Sequence, residues 1–271
     1  MARDRGYFGP ASVSWRIHRD ASAILGAGRA LLTQALDPHV MDVFLANSDY
    51  RDDPWGRLRR TGDYFRDVVY GDTAAAGRAG RRVRALHARL QGVPDGGRVY
   101  RADDPDLLLW VHATAVDSFL AAFRRYGGLL PDREADRYVA EQVVAAELVG
   151  IARSETPASL GELREYLAGV TGLRLTPGAR EGMHMILFDP PIPDWLLPGW
   201  MGLSAGIVSI LPAEVRTLYQ LRWFAPADPP LRAAIFAASR AFNAWNAGRR
   251  VLAAAGAGSG AADRVAPGAA P

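Results

Sequence analysis

Five imidazoles, His18, His39, His87, His112 and His184, are the strongest metal donors in a chain of 271 residues that contains neither cysteine nor lysine. Without cysteine there is no disulfide, thiolate nucleophile, iron–sulfur cluster or thiolate-ligated heme. Without lysine there is no Schiff-base nucleophile, pyridoxal phosphate anchor or P-loop. Redox chemistry here must run through histidine, a carboxylate or an organic cofactor. His87 lies in a helical run, Arg81-Arg82-Val83-Arg84-Ala85-Leu86-His87-Ala88-Arg89-Leu90. A lone histidine on such a helix is either a hydrogen-bonded core or surface residue or a metal donor. Arg81, Arg84 and Arg89, all within two turns, would supply the cations that heme propionates need. His112 is set in the apolar run Leu107-Leu108-Leu109-Trp110-Val111-His112-Ala113-Thr114, where an imidazole must find a partner or stay neutral. It reads as a buried histidine tied to a carbonyl or carboxylate, as a group beside a cofactor, or as a second axial ligand. Arg57, Arg60 and Thr61 fall at i, i+3 and i+4 and so share a helical face. That pattern is a solvated charge run or a surface turned toward an anion.

The elements that carry these residues are helical almost throughout. Three- and four-residue apolar spacing predicts helices over 20–36, Trp55–Val69, Thr73–Gln91, Asp106–Tyr126, Asp132–Val149, Ser159–Val170, Pro177–Leu187, Pro212–Trp223 and Asp228–Leu252. Only short pieces such as Arg98-Val99-Tyr100 look strand-like. Length and a 49% apolar composition suit one large core, so the reading is a single all-α domain over 1–252. The Gly/Ala/Ser/Pro-rich stretch 253–271 lacks side chains to pack and is expected to be disordered.

Composition narrows the partners. A net charge of +3 could suggest nucleic acid, but the arginines alternate with aspartates instead of forming a stripe with interleaved aromatics, and no nucleic-acid partner is expected. Gly26-Ala27-Gly28 follows no strand-like run, which argues against a dinucleotide site. The N-terminal Met-Ala-Arg-Asp-Arg has no apolar run behind it, so a cytoplasmic location is the expectation. The uncharged segment 195–213, WLLPGWMGLSAGIVSILPA, is broken by glycine and proline. It reads as a buried core helix, with a weak membrane or greasy-substrate contact as the alternative.

Three segments taken together, Asp53-Pro54-Trp55-Gly56-Arg57-Leu58-Arg59-Arg60-Thr61, Arg81 to His87, and Leu109-Trp110-Val111-His112-Ala113-Thr114, closely resemble the heme-dependent family that groups latex clearing protein (rubber oxygenase) with the oxygenase of mycophenolate biosynthesis. The likeness runs from Trp15 to about Pro212 and is dense between Leu25 and Glu147. It implies globin-like helical packing around a b-type heme, with His87 as proximal iron ligand and Arg84, Arg81 and His112 near the cofactor. Arg57, Arg60 and Thr61 would lie on the distal side, with Arg60 standing where rubber oxygenases carry lysine. That substitution keeps the charge but cannot act as a neutral base near pH 7.

The chain departs from the family pattern after the first long helix. Members commonly read Leu-x-x-His-Pro there, whereas this chain has Leu36-Asp37-Pro38-His39, and Asn47 stands where an imidazole is often seen. Both changes are expected in a loop near the cofactor's open face, which makes His39 and Asp37 candidates for altered acid/base work. The functional expectation is a heme-dependent oxygenase that uses dioxygen or peroxide on a small hydrophobic or aromatic molecule and does not cleave polyisoprene. A non-catalytic heme carrier or sensor with both axial positions filled, and a non-heme iron oxygenase, are the alternatives.

Overall fold

The longest apolar run becomes the axis of the molecule. The computed structural model describes residues 4–92 and 99–262, with side chains as far as Arg249. Helix α6 (Pro105–Ala122) starts where Asp104 accepts the amide of Asp106 and Pro105 fills the first turn. It continues through a π-helical turn, Phe123–Gly127, and stops at Gly128 with φ 141°. Glycine tolerates that conformation. Pro105–Gly127 is long and apolar enough to cross a membrane, yet 56% of that window is buried inside the protein, as in a core helix. Helix α2 (Ala23–Gln34) lies against it at close range, because Gly26 leaves room: a Cβ there would sit 2.9 Å from the Phe119 ring.

Two cores form on either side of this pair. Helices α1 (Val13–Arg19), α7 (Asp132–Val149) and α8 (Leu160–Gly169) contribute Val13, Ile17, Tyr138, Val139 and Leu163 to one, against Val116, Phe119 and Leu120. On the other side, α3 (Pro38–Asn47), α9 (Pro177–Leu187), α10 (Leu197–Ile210) and α11 (Ala213–Leu218) pack Met41, Met183, Leu187, Ile207 and Val215 against Leu25, Leu32 and Tyr126. The junction contains a buried cation. Arg29 donates to Asp117 at 2.6 Å, to Ser118 at 2.7 Å and to the Ile210 carbonyl at 2.7 Å, so its charge and its hydrogen-bonding groups are met.

Helices α4 (Pro54–Tyr70) and α5 (Thr73–His87) lie outside this body, with α5 pressed onto α7 through Gly80. After α5 the chain forms a short antiparallel ribbon of β1 (Gln91–Gly92) and β2 (Tyr100–Arg101), the sole sheet among the described residues. Helix α12 (Asp228–Ala262) packs on α10 and the π-helical turn. The structure is 72% helical and the all-α reading holds.

Several boundaries differ from expectation for identifiable reasons. The Asp37-Pro38-His39 segment and Asn47 are not in a loop. They begin and end α3, because the Asp37 carboxylate accepts the amides of His39 (2.8 Å) and Val40 (3.0 Å) and Pro38 takes the first turn. Helix α5 stops at His87, four residues short of Gln91, where ribbon pairing replaces helical bonding. The 195–213 segment contains a 14-residue helix, α10. The last helix passes Leu252 and reaches Ala262; residues 263–271, the remainder of the expected tail, lie outside the described residues, as does Arg98.

Candidate functional site

His87 is the final residue of α5, and the helix terminus shapes its surroundings. Its Nδ1 is buried and meets no hydrogen-bond partner. Burial pulls the imidazole below its ordinary titration range; Asp103 opposes that shift and the charge of Arg57 adds to it. The imidazole is therefore neutral at pH 7, with one ring nitrogen buried in the protein and unpartnered.

Arg57 reaches the same region from α4. Its guanidinium lies over the Phe44 ring of α3, 4.2 Å from the centroid. Burial pushes its pKa down, Asp49 partly compensates, and the neighbouring Arg60 adds to the depression. Among the described residues no carboxylate pairs with Arg57. A half-buried cation of this kind, stacked on an aromatic ring and close enough to be felt by a neutral imidazole, is suited to an anion that the chain does not itself supply.

The other candidates are placed differently. Arg60 is exposed and paired with Asp49 at 2.8 Å and Asp53 at 3.4 Å. Thr61, also exposed, returns its hydroxyl to the Arg57 carbonyl at 3.2 Å. Of the three residues expected on one inward face, Arg57 alone turns inward. Arg84 donates to the Leu148 carbonyl at 2.5 Å and so ties α5 to α7, and Arg81 is exposed. His112 is half-buried on α6, and burial lowers it to about 4. His39 stacks on Tyr100 at 3.9 Å with Nδ1 3.7 Å from the Asp37 carboxylate, which already caps α3. No three His, Asp or Glu side chains converge among the described residues, so the non-heme iron alternative finds no donor set there.

Some participants were not singled out in the sequence. Phe44 is one; it lies thirteen positions before Arg57, and only the folding of α3 and α4 brings the two together. Arg101 and Asp103 form a two-pronged ion pair at 2.8 and 2.9 Å beside the end of α5. Near the start of α4, Glu181 accepts from Tyr50 at 2.8 Å and from Arg51 at 2.6 and 2.7 Å. These bonds hold Glu181 at about 2 and fasten the α3–α4 connection to α9, while burial, reinforced by Glu181, raises Tyr50 to about 12. Trp55 donates its indole N–H to the Pro191 carbonyl at 2.9 Å and meets Trp200 edge-on at 6.0 Å. Trp55, Phe188, Trp195, Leu196 and Met201 are large apolar side chains that remain exposed, Trp55 two residues from Arg57.

Two open hollows of about 560 and 590 Å³ lie elsewhere. One lies along α9 between Leu175 and Asp189 and the other beside Asp4, Trp15 and Tyr70; neither touches His87 or Arg57. The chemistry of the side chains locates the site better than concavity does.

The site thus combines a half-buried imidazole at a helix end with a cation stacked on an aromatic ring, in an all-helical frame. Residues 15–242 match the family described as ER-bound oxygenase mpaB/B′/Rubber oxygenase, catalytic domain. The chain belongs to that family and is an oxygenase. No curated protein and no solved structure matches it.

Proposed function

We propose that this oxygenase uses a b-type heme held by His87 to oxidise a small hydrophobic or aromatic molecule. The observation that carries the reading is the buried, partnerless Nδ1 of His87. A neutral imidazole is an iron donor, and protonation would compete with ligation. Arg57, unpaired and half-buried, fits a heme propionate or the negative charge that builds on reduced oxygen. When bound, a heme supplies a redox-active iron able to take up dioxygen.

The side chains then have separable tasks. His87 donates from the end of α5. Arg57, braced on Phe44, presents a fixed positive charge that needs no reorganisation during reaction. His39 and Asp37 form an imidazole–carboxylate pair on α3, the helix that also carries Phe44, and His39 is the group placed to accept or return a proton. The exposed Trp55, Phe188, Trp195, Leu196 and Met201 support an apolar substrate, Trp55 lying on the helix that carries Arg57 and touching the 191–200 segment.

The test is a heme titration of the wild type, His87→Ala and His112→Ala. His87→Ala should lose tight binding, while His112→Ala retains it. If the two results are exchanged, His112 is the ligand and the assignment of His87 is wrong. With wild-type protein, oxidation of a small aromatic substrate is expected, and efficient cleavage of polyisoprene would overturn the substrate reading.

A further inference from the structure

His87 ends a helix, so the chain beyond it sets how firmly its imidazole is aimed. Three bonds pin the next four residues. The Ala102 amide donates to the Leu90 carbonyl at 3.0 Å, continuing the ribbon. Arg101 donates one guanidinium N–H to the Ala88 carbonyl at 3.1 Å while its other donors hold Asp103. From α3, Asn47 at the helix end donates to the Gln91 carbonyl and to the Val43 carbonyl, both at 2.7 Å. The fit between ribbon and α3 is tight: a Cβ on Gly92 would come within 2.6 Å of the Val43 nitrogen.

Resting on the assignment of His87 as the heme ligand, we propose that Arg101 and Asn47 are positioning residues that clamp the segment after His87 and thereby fix the direction of its imidazole. Both side chains are exposed. The Arg101–Asp103 pair is largely solvated, so its contribution to folding is small. Its value lies in geometry, because the guanidinium is a planar fork that engages carboxylate and carbonyl in one arrangement. Groups that orient a metal-bound imidazole typically change metal affinity or activity 10- to 100-fold when removed.

The experiment compares full-length wild type, Arg101→Ala, Arg101→Lys and Asn47→Leu after loading with heme. Three quantities are read: the rate of heme loss to an excess of apoglobin, the iron–histidine stretching band of the ferrous protein by resonance Raman, and thermal stability without heme. Arg101→Ala and Asn47→Leu should each release heme about 10- to 100-fold faster and shift or broaden the iron–histidine band, with the apoprotein melting nearly as the wild type does. Lysine at 101 should restore little, since it replaces the charge but not the fork. Wild-type heme loss and an unmoved band in both Arg101→Ala and Asn47→Leu would overturn the proposal. Full rescue by Arg101→Lys would reduce Arg101 to a bare charge and overturn its positioning role. These outcomes are separate from failure of the ligand assignment, which shows as heme binding by His87→Ala equal to that of the wild type.

Discussion

At the scale of single residues, burial without a partner is what separates the functional candidates from their chemical equals. Four of the chain's arginines, Arg57, Arg60, Arg81 and Arg84, were candidates for the same work, and exposure and partners divide them: Arg60 and Arg84 have protein acceptors, Arg81 is exposed, and Arg57 is half-buried on an aromatic ring. Arg57→Ala should lower peroxide- or oxygen-dependent turnover of a phenolic chromogen by roughly 10² to 10³, about 3–4 kcal/mol of barrier, with little change in melting temperature. Loss of folding, or unchanged turnover, would make Arg57 a structural cation. Two other histidines predict a pH dependence of stability. Burial holds His18 and His112 at about 4 in the folded chain, against an ordinary value of 6.5. Between those limits the unfolded chain binds protons that the folded chain does not. Stability is therefore complete above pH 6.5 and falls as pH drops toward 4, by roughly 3 kcal/mol for each group. His18 stacks on Phe65 at 5.6 Å and meets the Tyr138 hydroxyl at 3.2 Å, so His18→Phe should keep the packing and flatten this acid slope in thermal melts recorded from pH 7 to 4. An unchanged slope would count against the assignment.

At the scale of elements, the ends of helices carry the site. Helix α3 exists in its observed register because Asp37 and Pro38 start it, and Asp37→Ala should cost about 1 kcal/mol, measured by denaturant unfolding. If Asp37 also handles protons with His39, then Asp37→Asn, which keeps an oxygen for the cap, will lower turnover by more than its loss of stability explains. Gly92→Ala is expected to be worse for the site than for the fold. The added methyl would collide with the α3 backbone at 2.6 Å and prise the ribbon away, weakening heme retention at the neighbouring end of α5. Helices with strong periodicity were legible in the sequence: Asp132–Val149 and Pro177–Leu187 appear with those limits. Helix α3 was also within reach, since aspartate before proline is a start signal, but the resemblance to a family with a different sequence there drew attention to a loop. The ribbon was not legible past a single strand-like piece, because a two-residue strand has no periodicity to read and gains its stability from a partner eight or ten residues away.

At the scale of the whole molecule, the all-helical architecture follows from composition and apolar spacing, whereas the site does not. His87 and the Arg57 segment could be marked by motif, but the facts that distinguish them, a buried nitrogen without a partner and a cation without a carboxylate, arise from packing between α3, α4 and α5. Sequence spacing placed Arg60 and Thr61 beside Arg57; the tertiary arrangement gave Arg60 to Asp49 and turned Thr61 outward. The central claim is a heme held by His87 with its opposite face open to oxygen. It is tested most directly by the absorption spectrum of the heme-loaded protein, reduced and then exposed to carbon monoxide. A Soret band that shifts on adding carbon monoxide, and that is lost in His87→Ala, is the predicted result. A reduced spectrum indifferent to carbon monoxide would indicate two protein ligands and a closed iron, and no Soret band after reconstitution would contradict the heme assignment itself.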